Sequence, residues 1–177
     1  LLALLCAAGC GPGAAAPSPT SAPAAQPTAA PTDPPAATET PAEPEVFAVS
    51  SAGIVDGAIG DAYGLRSNQA ENGVPTRSLP LTVTGAPEGT ACLALSMIDP
   101  DGGDWVHWLA VMPLGDLPEN ASIDWAGRMA QGKNDFGSVG YGGPTPPSGT
   151  HVYVLTVYAL SEEISLENGF SLAAFTK

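Results

Sequence analysis

The chain has 177 residues, with 5 basic and 18 acidic side chains and a formal net charge of −13 at pH 7. That length allows one domain of ordinary size, and the negative field argues against nucleic acid and anionic membrane surfaces as partners. Only Cys92 lies beyond residue 10, which excludes an internal disulfide framework.

Residues 1–10 form a short apolar run, below the ~20 residues a membrane-spanning helix needs. They read as the remnant of a signal peptide. Ala7-Ala8-Gly9-Cys10 resembles a bacterial lipobox, with Ala7 where Leu is usual. Cys10 is therefore the expected lipidation site. The domain is expected outside the cytoplasm, lipid-anchored to a bacterial cell membrane. Residues 11–45 contain ten of the nineteen prolines, among mostly Ala, Thr, Ser and Gly. With no aromatic and no aliphatic residue larger than Ala, this stretch cannot bury a core. It is a disordered linker, spanning about 30 Å as coil or about 110 Å as polyproline.

Residues 46–177 make the domain. Asp33, Glu39, Glu43 and Glu45 precede it, which leaves 14 acids against 5 bases, a net of −9. Strands are expected at 47–54 and 79–84, with loops over 55–77 and a turn at 86–89. Residues 92–98 and 105–112 are apolar runs of strand length, bounded by Asp, Gly and Pro, and read as buried strands. The loop between them, DPDGGD, brings carboxylates to the end of a sheet. Alternation along the second strand groups His107 with Trp105, Leu109 and Val111, and turns Trp108 to the other face. Cys92 is expected to be a small core residue. Residues 113–132 are mixed and polar, and the sequon-like Asn120-Ala-Ser122 is given no weight. A glycine- and proline-rich loop at 137–149 precedes a strand at 151–160, which places His151 and Tyr153 on one face. A helix begins at Ser171, a candidate N-cap. Leu172 and Phe175 lack an evident partner, so the domain is expected to continue beyond residue 177.

Three motifs in order carry a family resemblance. They are Asp99-Pro100-Asp101, Trp105-x-His107-Trp108, and Gly140-Tyr141-Gly142-Gly143-Pro144-x-Pro146-Pro147-x-Gly149-x-His151-x-Tyr153. Together they resemble the phosphatidylethanolamine-binding protein family, most closely its bacterial Raf-kinase-inhibitor-like branch of the YbhB/YbcL type. The resemblance implies a mainly β fold, with a large antiparallel sheet packed on a smaller one and a few short helices. It implies an anion-accepting pocket of Asp99, Asp101, His107, His151 and Tyr153, with Gly143, Pro144 and Pro146 at the rim. Three departures stand out. Val152 replaces the Arg usual after the second histidine, Gly102-Gly103 replaces a common Ala-Pro, and Thr145 stands where Cys is frequent. Alternation turns Val152 away from the pocket, so that change bears on loop anchoring.

The residue types also weigh the chemistry. A histidine donor, a tyrosine hydroxyl and backbone N–H groups of the glycine-rich loop can hold phosphate oxygens. Asp99 and Asp101 oppose a bare dianion, and no Lys or Arg lies in the motifs. The expected ligand is a phosphate-bearing or zwitterionic small molecule or a phospholipid headgroup, bound without turnover and without a cofactor. A protein-interaction module inhibiting a kinase or protease is the alternative. A hydrolase is less favoured, since no G-x-S-x-G elbow is present. A metal site is not expected, because DPDGGD lacks the EF-hand glycine at its sixth position and no Cys or His pair has zinc spacing.

Overall fold

The computed structural model describes residues 46–177; the expected signal-peptide remnant, the expected lipidation site Cys10 and the expected 11–45 linker lie outside the described residues. In chain order the elements are β1 (Ala48–Ser50), β2 (Ile54–Val55), β3 (Ala58–Ile59), β4 (Ala70–Glu71), β5 (Val74–Pro75), β6 (Thr82–Thr84), β7 (Cys92–Asp99), β8 (Trp105–Pro113), α1 (Ala121–Asp124), β9 (Ala130–Gln131), β10 (Val154–Leu160) and α2 (Leu172–Phe175).

An apolar run with no alternation needs cover on both faces, which central strands obtain. β7 and β8 take that place in a four-stranded antiparallel sheet of order β10-β7-β8-β9. On one face, Leu93, Leu95 and Met97 of β7 and Trp108, Ala110 and Met112 of β8 form the main core with Leu79, Leu81 and Leu117. Phe47 and Val83, from the edge of the small β1–β6 sheet, pack against this core. The fold is thus mainly β, a larger sheet packed on a smaller one with two short α-helices. The opposite face carries Cys92, Ala94, Val106, Leu109 and Val111, covered by Leu166, Phe170, Leu172 and Phe175. Leu172 and Phe175 therefore have partners within the domain. The Ser171 hydroxyl caps α2 by accepting from the Ala174 N–H.

Several expected bounds shift. The strand expected at 47–54 divides into β1 and β2, and β10 begins at Val154, not at residue 151. The loops expected over 55–77 contain two small hairpins, β2–β3 and β4–β5. They turn at Asp56-Gly57 and Asn72-Gly73, where all four residues have positive φ (51°, 76°, 49° and 80°). Asp-Gly and Asn-Gly are the pairs that tolerate this geometry. Strands of two residues are too short to display a period, so the dipeptides were the only signal.

The largest departure lies in β8. Met97 pairs with Trp108 and Ile98 with Val106, so His107 has no partner across β7. This is a β-bulge, and it resets the alternation. Val106 joins Leu109 on the outer face, while Trp108 joins Ala110 and Met112 on the inner one. The expected grouping of His107 with Leu109 and Val111 is corrected accordingly.

Leu95 is fully buried between the two layers. Leu95→Ala should cost about 2–5 kcal/mol of unfolding free energy, measured by urea denaturation. A loss below about 1 kcal/mol would show that this layer is not a packed core.

Candidate functional site

Three segments meet at the His107 end of the sheet. The first is the turn after β7. Asp99 ends the strand and its Oδ1 accepts from the Gly102 N–H at 2.9 Å. Pro100 starts the turn with a preset φ, and Gly103 closes it with φ 78°. Proline cannot adopt that angle, so Gly-Gly here permits a turn that Ala-Pro would not. The turn presents Asp101, whose Oδ2 accepts from the Val152 N–H at 2.8 Å. Val152 itself is exposed, and the link to the acidic loop runs through its backbone.

The second segment is the bulge. The Val106 N–H donates to Asp135 Oδ2 at 2.7 Å, and the Asp135 N–H donates back to the Val106 carbonyl. The Gly142 N–H donates to the His107 carbonyl. A carbonyl only accepts, so the 2.6 Å contact between His107 Nδ1 and Gly142 O places the proton on Nδ1. Phe136, on the loop between these contacts, meets the His107 and Trp105 rings at centroid distances of 5.4 and 5.5 Å.

The third segment leads into β10. His151 Nδ1–H donates to Asp99 Oδ2 at 2.7 Å. The His151 and Tyr153 rings lie on the same side, 6.4 Å apart, and Tyr153 meets His107 edge to face at 5.1 Å.

These contacts enclose a cavity of about 470 Å³. Asp99, Asp101, His107, Pro146, His151 and Tyr153 all line it, as do Gly102, Trp105, Phe136, Thr145 and Pro147. Gly143 and Pro144 do not. The Gly143 N–H donates to the Pro75 carbonyl, and a Cβ there would fall 2.3 Å from the Tyr63 carbonyl oxygen. Gly143 is held by close backbone packing behind the rim, and Pro144 borders a neighbouring groove. The Gly140 and Gly142 N–H groups are likewise spent, on Gly132 and His107 carbonyls. The expected backbone cradle for phosphate at these glycines is thereby corrected. Phe136 was not foreseen; its only signal was one large aromatic residue stranded in a polar loop.

The electrostatics follow from burial. Burial alone would raise the Asp99 carboxyl. The hydrogen bonds from His151 and Gly102 and the two imidazoles outweigh it and hold Asp99 below the usual carboxylate range. Burial pushes His107 below the ordinary histidine value, against the opposing pulls of Gly142 O, Asp99 and Asp135. Burial first, then Asp99 and Asp101, push the Tyr153 hydroxyl up to about 12. That hydroxyl is buried with no hydrogen-bond partner among the described residues.

Both depressed groups bind a proton more readily in the unfolded chain. Stability is therefore full above ~6.5, the unfolded histidine value, and is lost as pH falls through it and then through the Asp99 value. The melting temperature should hold from pH 7.5 to ~6.5 and then drop as pH falls to 4. His107→Gln should flatten the window just below ~6.5, as read by calorimetry. An unchanged slope in that window would remove His107 as its source.

Relatives share this domain. The sequence profile described as phosphatidylethanolamine-binding protein matches residues 50–177, which include every cavity residue. YxkA of Bacillus subtilis (strain 168) is 41% identical over 119 residues, covering 56% of this chain and 71% of YxkA. YbcL of Escherichia coli (strain K12) is 39% identical over 95 residues, 47% of this chain and 52% of YbcL, so the match spans about half that relative's length. The crystal structure of YbcL, described as a new member of the mammalian PEBP family, gives a TM-score of 0.62 at 33% identity over 73% of this chain and 87% of that one. The PEBP homolog CT736 of Chlamydia trachomatis D/UW-3/CX gives 0.60 at 28% identity, over 72% and 84% of the two chains. With the profile spanning the domain and solved relatives sharing its architecture, the chain belongs to the phosphatidylethanolamine-binding protein family.

Proposed function

We propose that this domain binds, reversibly and without turnover, a small phosphate-bearing or zwitterionic molecule or headgroup in the cavity beside His107. The observation that carries the reading is the convergence of two acids, two histidines and a tyrosine on one cavity from three separate segments. A mostly pre-formed concave site with a few placed polar groups is the usual form of a small-ligand site. Among the described residues, no Lys, Arg, Ser or Cys lines it. The lack of a fixed cation favours a ligand of low net charge over a polyphosphate. The lack of a serine or cysteine beside either histidine favours binding over nucleophilic catalysis.

Recognition of phosphate then depends on protonation. His107 donates its Nδ1–H to Gly142, so Nε2 can donate to a phosphate oxygen only in the doubly protonated ring. His107 is faced by Asp99 and Asp135, which favour that form, and by His151, which opposes it. Because burial lowers its value, phosphate affinity should rise as pH falls below ~6.5. Amide NMR titration of the chain with phosphorylethanolamine and inorganic phosphate tests this. Saturable shifts over residues 99–108 and 140–153, stronger at pH 5.5 and lost in His107→Ala, are expected. Absence of shifts at millimolar ligand at both pH values would overturn the reading.

The same proposal places the domain outside the cytoplasm, tethered through lipid on Cys10 and the 11–45 linker. A lipid anchor and a proline-rich tether suit a domain that meets ligands near a membrane. Metabolic palmitate labelling of the full-length gene product should label the native protein and not Cys10→Ser. Equal labelling of both would remove the anchor.

A further inference from the structure

The tripeptide Glu-Asn-Gly occurs twice in this domain, at 71–73 and at 167–169. Both asparagines and both glycines are exposed. Both glycines have positive φ, 80° at Gly73 and 86° at Gly169. An asparagine before glycine can lose its side-chain amide when the next backbone nitrogen attacks the side-chain carbonyl carbon, since glycine has no Cβ to block the approach. The two copies are alike in local sequence and differ in what holds the reacting atoms.

In the second copy both atoms are held by one residue of the sheet. The Gln131 N–H donates to Asn168 Oδ1 at 2.9 Å, and the Gly169 N–H donates to the Gln131 carbonyl at 2.7 Å. Gln131 is itself buried and fixed, accepting from the Trp108 indole and donating to the Ser122 carbonyl. In the first copy neither atom is held. Among the described residues the Gly73 N–H has no backbone partner, and a Cβ built on Gly73 would meet nothing within 4 Å. The nearby side-chain bonds run from Gln69 to Thr76 and Asn120 and from Arg77 to Asn68, and bypass Asn72. The positive-φ turn must open before the nitrogen can reach the side chain. Its ladder covers only Ala70↔Pro75 and Glu71↔Val74, and proline has no N–H to give. An exposed hairpin with strands this short opens locally at small cost.

We propose that Asn72 is a site of spontaneous deamidation in the folded protein, and that Asn168, in the same tripeptide, is protected by Gln131. The Gly73 nitrogen bonds to Asn72 Cγ, the Cγ–Nδ2 bond breaks, and ammonia leaves with the Gly73 proton. Water then opens the cyclic imide at either carbonyl, which leaves aspartate or isoaspartate at position 72. Either product sets a negative charge beside Glu71. Isoaspartate also lengthens the main chain by one carbon, in a turn whose geometry depends on two residues. The Pro75 carbonyl in the same hairpin receives the Gly143 N–H, so the altered turn weakens the hold on Gly143.

The experiment is an ageing series on the 177-residue chain at pH 7.5, folded and in denaturing urea. Trypsin releases residues 67–77 and 134–177, cut at Arg66, Arg77 and Lys133. Tandem mass spectrometry locates each deamidated position, and isoaspartyl methyltransferase labelling identifies the product. In the folded chain Asn72 should react about ten-fold or more faster than Asn168, because two hydrogen bonds must be released first at Asn168. In urea the two should react at similar rates. Amide exchange at Gly143 should quicken in the deamidated fraction. Equal rates in the folded chain, or a faster Asn168, would overturn the proposal. Reaction at both sites in urea and at neither in the folded chain would do the same. A ratio that persists in urea would assign the difference to flanking sequence and remove Gln131 as its cause. Unchanged exchange at Gly143 would refute the reach of the altered turn to that residue.

Discussion

One skipped partner in the pairing of β8 with β7 decides how this domain presents its polar residues. A regular ladder would send Val106 and Trp108 to one face and His107 to the other. The bulge lets Trp108 keep its place in the main core while His107 turns toward Asp99 and Tyr153. Bulges cost a ladder position and re-aim a side chain. Here the loop over residues 135–142 bonds the bulged backbone instead. Asp135 and Gly142 bond the backbone on either side of the bulge, and that segment brings Phe136 over the cavity.

The same arrangement sets the electrostatic character of the site. Burying a carboxylate and two imidazoles together is costly unless each is hydrogen-bonded. Asp99 meets that requirement with both oxygens, and each histidine meets it with Nδ1. What satisfies the buried groups also orients them, leaving Nε2 of each neutral ring as an acceptor and the Tyr153 hydroxyl as an unspent donor. Asp99 therefore holds His151 in place, while Asp101 ties the Val152 backbone to the acidic turn.

The rim owes its position to a second network away from the cavity. The Tyr141 hydroxyl donates to the Tyr63 carbonyl at 2.8 Å, and the Tyr63 hydroxyl donates to Glu119 at 2.7 Å. Arg77 completes the link at 2.9 Å from the other Glu119 oxygen. Burial, reinforced by Glu119, pushes the Tyr63 hydroxyl up to about 12, so it stays a donor at ordinary pH. Gly143 lies so close to Tyr63 that only a residue without a Cβ fits. The two small hairpins and the loop after Gly140 are thereby clamped together, and Pro146 and Pro147 are delivered to the cavity mouth.

Local chemistry made much of this legible in the chain itself. The two apolar runs, the acidic loop between them and the Ser171 cap follow from periodicity, breaker residues and capping, which act over a few neighbours. So does the pairing of His151 with Tyr153 on one side. The ordered motifs also pointed to the family and to most of the cavity lining. The remainder is not local. A bulge is a property of two strands, and nothing in Trp-Val-His-Trp-Leu states which residue will lose its partner. Phe136 reaches the cavity because its loop completes the hydrogen bonds of a distant strand. Gly143 and Pro144 look like rim residues by proximity to Pro146, yet the pull of Tyr63 and Pro75 draws them behind it. The protonated nitrogen of each imidazole was likewise decided by its tertiary partner, because a carbonyl and a carboxylate can only accept. Sequence determined which groups are available; the folded packing determined which atoms of those groups remain unspent.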